Sequence, residues 1–236
     1  MADVRGAGSL ILGIRKMSDG DSIRHRGIGK DGKLSVDDLI TLRSVGVTPE
    51  YIAQMRATGL GDLSLDDIVA MRVQGVTPDY VSQMRKTGFD IKTGDQIVSM
   101  RVQGVTPDYV SQMRATGFDI KNTEQIIALR VQGVTPDYVS ELRKSGIEVK
   151  SVEDVITMRT MGVSTKYIRE MDSAGYHNLS ARELVELRAQ GVSPAFVKTL
   201  ADAGYTNLTV RDLVRLAASG VNADFIRDMA QYKEKK

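Results

Sequence analysis

The side chains best suited to chemistry in this sequence are arginines that recur at one interval. Arg43, Arg72, Arg101, Arg130, Arg159 and Arg188 form one series, and Arg56, Arg85, Arg114 and Arg143 a second, each with a step of 29 residues. A guanidinium carries five donors in a planar fork that matches carboxylates and phosphates. A row of them would engage a carboxylate-rich protein or a phosphate backbone. The plainer reading puts them at helix C-termini, where a cation opposes the helix dipole and pairs with acids of neighbouring repeats. A third series, Gln54, Gln83, Gln112 and Glu141, continues as Glu170, Thr199 and Asp228 and reads as solvent-facing. The first arginine series together with Gln54, Gln83, Gln112 and Glu141 is the candidate partner-binding set. Tyr51, Tyr80, Tyr109, Tyr138 and Tyr167, continued by Phe196 and Phe225, read as core rings with hydroxyls at the rim.

Catalytic chemistry has little to stand on. The two histidines, His25 and His177, do not recur, and neither lies in an H-E-x-x-H pattern. No phosphate-loop or nucleophile-elbow motif is present. Paired carboxylates such as Asp37-Asp38 and Asp66-Asp67 stand at helix starts, where the dipole stabilises them and capping explains them. The absence of cysteine excludes disulfides, iron–sulfur clusters and thiolate zinc sites. No catalytic, cofactor-binding or metal-ligating residue is assigned, and a non-enzymatic binding protein without cofactor is expected.

These side chains need elements to position them, and two glycine series define those elements. Gly46, Gly75, Gly104, Gly133, Gly162, Gly191 and Gly220 are spaced by 29 residues, as are Gly59, Gly88, Gly117, Gly146, Gly175 and Gly204. Internal periodicity of this kind marks a solenoid. Within a unit such as SLDDIVAMRVQGVTPDYVSQMRKTGFDIK, from Ser64, two short helices are legible. Ser64 is the first N-cap and Asp67 its capping-box partner. The pair recurs as Ser35/Asp38, Thr93/Gln96, Asn122/Gln125, Ser151/Asp154, Ser180/Glu183 and Thr209/Asp212. Gly75 ends that helix in a left-handed cap, with Val76 as its apolar contact. Thr77 caps the second helix, Pro78 takes its first position, and Asp79 opposes the dipole. All five prolines (Pro49, Pro78, Pro107, Pro136 and Pro194) hold this slot. Each helix is expected to run about 10–12 residues, which is marginal alone in water. Ile68, Val69, Met71, Val76, Tyr80, Val81, Met84 and Phe89 are the expected core of one unit. Such a unit should persist only by stacking on copies of itself.

Composition sets outer limits. With 42% hydrophobic and 26% charged residues the chain reads as soluble and globular. Thirty-two Lys+Arg against 30 Asp+Glu give a net charge of +2, which argues against a dedicated nucleic-acid binder. The stretch LRSVGVTPEYIAQMR does look like a helix-turn-helix. Its second helix, however, opens with an acid at Glu50, Asp79, Asp108, Asp137 and Asp224, which would repel phosphate. No apolar run reaches the roughly 18–20 residues of a membrane span. Leu10–Ile14 is too short for a signal-peptide core, so a cytoplasmic chain without membrane insertion is expected.

At GVTPEYIAQMR and LSLDDIVAMR the chain resembles bacterial helical repeats appended to membrane metallopeptidases of the BlaR antirepressor type. The resemblance spans about residues 34–232 and rests on the G-V-T-P-[DE]-[YF] turn and the L-R-x-x-G helix end. The peptidase part is absent, so protease activity is not implied. What the resemblance implies is an accessory repeat module for interaction or sensing.

The expectation is therefore an all-α protein, an αα-solenoid of seven 29-residue two-helix repeats over 34–236. Residues 1–33 are read as an N-terminal cap or flexible arm. The expected function is a scaffold for a protein or peptide partner. The alternatives are nucleic-acid binding through the arginine ladders, and a structural, self-associating repeat of natural or consensus-designed origin.

Overall fold

The computed structural model describes residues 34–149 and 151–234, with side chains to residue 229. The cap or arm read from residues 1–33 lies outside the described residues. Fourteen helices and no strands make up the described chain. The first helices of the seven units are α1 (Val36–Ser44), α3 (Leu65–Val73), α5 (Gly94–Val102), α7 (Thr123–Val131), α9 (Val152–Thr160), α11 (Ala181–Ala189) and α13 (Val210–Ala218). The second helices are α2 (Pro49–Ala57), α4 (Pro78–Lys86), α6 (Pro107–Ala115), α8 (Pro136–Lys144), α10 (Thr165–Ser173), α12 (Pro194–Asp202) and α14 (Ala223–Glu234).

Capping sets where each helix begins. The Ser64 hydroxyl accepts from Asp67 N–H at 3.1 Å, and the Asp67 carboxylate accepts from Ser64 N–H at 2.8 Å. The same reciprocal box closes at Ser35, Thr93, Ser151, Ser180 and Thr209. At Asn122 only half of it forms. Asn122 Oδ1 accepts from Gln125 N–H, but Gln125 Oε1 reaches one residue further back, to Lys121 N–H.

Glycine turns set where the helices end, and they shorten them. Gly75 takes φ +66°, its N–H donates to Arg72 O at 3.1 Å, and Val76 N–H donates to Met71 O at 2.8 Å. This is a Schellman motif, which consumes two of the orphan carbonyls of the helix end. Two residues after the glycine Thr77 already caps α4, its hydroxyl accepting from Tyr80 N–H at 3.1 Å. With caps this close, α1 to α13 are nine residues each, shorter than the sequence pattern suggests.

Odd helices pack on odd helices of adjacent units, and even helices on even ones, giving two layers. α3 lies on α5, α5 on α7 and α7 on α9, while α2, α4, α6 and α8 stack in the same order. The all-α solenoid expected from the repeat is what the chain forms. One continuous core runs from Tyr51 to Ile226. Its spine is Met71, Met100, Leu129, Met158 and Leu187 from the odd layer, and Met55, Met84, Met113, Leu142, Met171 and Leu200 from the even layer. One expectation about the core needs correcting, and one core residue was not named. Val69 is half-buried rather than enclosed, because the face it shares with Val73 turns out of the layer. Ile91, in the connection after Phe89, is buried instead, in a tight turn where its N–H donates to Phe89 O.

Candidate partner-binding surface

The two arginine series occupy different places, and both begin with the unit before. In the first series the guanidinium reaches back one unit and lies over a tyrosine. Arg72 stands 5.2 Å from the Tyr51 ring centroid, Arg101 5.1 Å from Tyr80, Arg130 5.0 Å from Tyr109, Arg159 5.2 Å from Tyr138 and Arg188 4.9 Å from Tyr167. These separations lie inside the cation–π range of about 6 Å. Each guanidinium also sits beside the glycine turn of that earlier unit. Arg72 Nη2 is 3.5 Å from where a Gly46 Cβ would stand, and Arg188 Nη2 3.1 Å from the same point at Gly162. Sequence reasoning expected acids as their partners; the groups that flank them are rings and turns. Arg72, Arg101, Arg130 and Arg159 remain exposed at their edges, Arg188 is half-buried, and Arg43 of the first unit is exposed.

The tyrosines complete the same joint from the other side. Tyr51 donates its hydroxyl to Val76 O at 2.7 Å, Tyr80 to Val105 O, Tyr109 to Val134 O, Tyr138 to Val163 O and Tyr167 to Val192 O. Each acceptor is the carbonyl just after the glycine turn of the following unit. Burial pushes the Tyr80, Tyr109, Tyr138 and Tyr167 hydroxyls up to about 12, with the adjacent arginine acting in the opposite direction. The rings are core, as expected, but the hydroxyls are bonded within it rather than left at a wet rim. Phe196 continues the ladder buried, whereas Phe225 on α14 is exposed.

From Arg85 onward, the second arginine series packs against the helix ends of the preceding unit. Arg85 donates through Nη1 to Thr58 O at 2.5 Å, and through Nη2 to Gly59 O at 2.7 Å and Ile91 O at 2.9 Å. Arg114 lies 4.6 Å over Phe89 and Arg143 5.6 Å over Phe118. In both, Nη1 comes within 3 Å of where a Cβ on Gly88 or Gly117 would be. These side chains are inter-unit clamps.

Gln54, Gln83, Gln112 and Glu141 are exposed on the even layer. Their outward placement matches the sequence reading, and they stand on a different layer from the first arginine series. The helix-start acid Glu50 is exposed, and its carboxyl is held below the usual range by its own backbone amide and the Thr48 hydroxyl. His177 is exposed in a connection, its Nδ1 2.7 Å from Asp172 Oδ1.

One feature escaped the sequence reading. Val73, Val102 and Val131, the last residues of α3, α5 and α7, are 59%, 54% and 48% exposed. One turn earlier on the same helices stand the half-buried Val69, Val98 and Ile127. Residues four apart share a helix face, so each helix offers a two-residue apolar ledge. The signal was available. The core ladders through Met71 and Met84 stay apolar in all seven units, whereas this one reads Ser44, Val73, Val102, Val131, Thr160, Ala189 and Ala218.

Among the described residues no three metal-ligating side chains converge, and no helix is long and apolar enough to cross a membrane. No family model matches the chain, and no curated protein matches it.

Proposed function

We propose that the chain is a non-enzymatic repeat scaffold that binds a protein or peptide partner along the odd layer of its central units. The observation that carries this reading is the valine ledge. A soluble surface tolerates isolated apolar side chains, but apolar side chains repeated at one position of successive units, on a layer that also carries exposed arginines, suit a binding face. The arginines are held in place by tyrosine rings and glycine turns, so little side-chain entropy is lost when a partner meets them. The partner chemistry that fits is an extended segment with apolar residues and carboxylates in alternation. An interaction module is also what the resemblance to appended bacterial repeats implies.

The test separates the ledge from the fold. A phage-displayed peptide library is panned on the wild-type chain and on Val73→Ser/Val102→Ser/Val131→Ser, whose helicity should be unchanged because these side chains support no core. Peptides enriched on the wild type should bind the triple variant at least tenfold more weakly. Equal binding by both chains, or no enrichment at all, would sink the reading. Arg→Ala variants are the poorer probe, since each also removes a ring contact.

A further inference from the structure

We propose that the joint between the fifth and sixth units, at Gly175, Tyr176 and Ala201, binds the guanidinium of an arginine side chain supplied by a partner protein. The earlier joints show what this position of the repeat can hold. At the earlier joints Arg85, Arg114 and Arg143 fill it in cis, against the glycine that ends the preceding even helix. Arg85 is held by two carbonyls of that helix end, and Arg114 by the Phe89 ring. The repeat places Ala201 in the arginine position of the sixth unit, and the carbonyls of Ala174 and Gly175 correspond to those of Thr58 and Gly59. Among the described residues no atom comes within 4 Å of a Cβ built on Gly175. The space is a cavity of about 490 Å³.

Three further features give the cavity the chemistry of a cation site. Tyr176 holds the repeat position of Phe89 and Phe118, the rings under Arg114 and Arg143, and its ring is fixed by a hydroxyl bond to Leu208 O at 2.9 Å. Tyr205 also lines the cavity. Glu183 lines it too, and the Ser180 hydroxyl and amide hold its carboxyl below the usual range, so it is charged at neutral pH. Carbonyls, an aromatic face and a carboxylate together suit a planar delocalised cation better than a compact ammonium. The joint one unit earlier offers a cavity of about 550 Å³ at Ser145, but Lys144 and Arg169 line it and Asp172 is engaged by His177. Two cations at its wall repel a third, which directs the inference to Ala201.

The site is independent of the valine ledge, and its test is separate. Capped arginine (N-acetyl-arginine N-methylamide) is titrated into the isotopically labelled full chain, with capped citrulline as the neutral isostere. Expected are saturable amide shifts confined to Gly175, Tyr176, Ala201, Glu183 and Tyr205, with citrulline at least tenfold weaker. Ala201→Arg should supply the guanidinium in cis, raise the melting temperature and abolish the shifts. Glu183→Gln keeps an N3 partner for Ser180, as Gln96 does for Thr93, yet should weaken binding several-fold. No saturable shift at this joint, equal binding of citrulline, or unchanged binding by a folded Ala201→Arg chain would each overturn the proposal. The Val73→Ser/Val102→Ser/Val131→Ser chain should bind capped arginine as the wild type does.

Discussion

At the scale of single residues the tyrosine hydroxyl carries more than its ring suggests. Tyr109→Phe keeps the ring under Arg130 but leaves the buried Val134 carbonyl without its donor. An orphaned buried acceptor costs about 1–3 kcal/mol, so the urea midpoint should fall measurably while the helical spectrum is retained. The hydroxyls also make stability depend on alkaline pH, and the sign follows from the direction of the shift. Burial raises the folded-state values of Tyr80, Tyr109, Tyr138 and Tyr167 to about 12, above the ordinary 10.0. Below pH 10 both states hold the proton and the contribution is intact. Above pH 10 only the unfolded chain releases it, so stability falls as pH rises towards 12. Replacing the four tyrosines by phenylalanine should flatten that fall between pH 10 and 12 in urea titrations, while lysine titration stays common to both chains. The burial of these rings was legible from their helical spacing. The hydroxyl's partner was not, because it lies 25 residues downstream, across a joint that no local pattern describes.

At the scale of elements the connections fall into two kinds, and the second arginine series explains the division. Where Thr58, Thr87 and Thr116 end the even helices, the threonine hydroxyl donates to the carbonyl of Met55, Met84 or Met113. Those are the helix ends against which Arg85, Arg114 and Arg143 pack. Where Ser145, Ala174 and Ala203 stand instead, the amide two residues on takes the corresponding carbonyl of Leu142, Met171 or Leu200. Asp172, Ala201 and Ala230 then replace the arginine of the next unit. The connections at Asn178 and Asn207 adopt positive φ, which asparagine tolerates. Gly117→Ala and Gly175→Ala should separate backbone strain from the clamp. Both carry the left-handed penalty of about 1–2 kcal/mol. Only at Gly117, where Arg143 Nη1 is 2.8 Å from the added carbon, must a guanidinium also be displaced. The Gly117 variant should therefore lose more stability in matched urea unfolding. Thr165→Pro is expected to act in the opposite direction. Ser164 caps α10 as Thr77 caps α4, and a proline at the first helical position should add about 0.4–1 kcal/mol by restricting the unfolded chain. Caps and turns were legible because each is settled within four residues. Which side of each short helix turns outward was not, since the angle between adjacent helices decides whether Val73 is covered.

At the scale of the whole molecule, the first five joints repeat one tyrosine bond and one ring-stacked arginine between neighbours, and this makes the length of the chain adjustable in steps. Each tyrosine donates one unit forward and each ring-stacked arginine reaches one unit back, so no unit depends on another two places away for these bonds. Deleting residues 102–130 joins Arg101 to Val131 and preserves the register. Arg101 keeps Tyr80, and the Tyr80 hydroxyl finds the Val134 carbonyl where Val105 had been. The six-unit chain should unfold cooperatively, with helicity per residue unchanged and a modestly lower melting temperature, as nearest-neighbour stabilities sum. Deleting 102–116 removes about half a repeat and brings an odd helix into an even slot. That chain should lose its cooperative transition. The isolated segment 92–120, with both apolar faces uncovered, should be unstructured by circular dichroism, because two nine-residue helices are too short to persist alone. If the full-period deletion unfolds the chain, or the isolated segment folds unaided, stability does not reside in the joints. The valine ledge and the arginine clamps would then need an origin other than contact between adjacent copies.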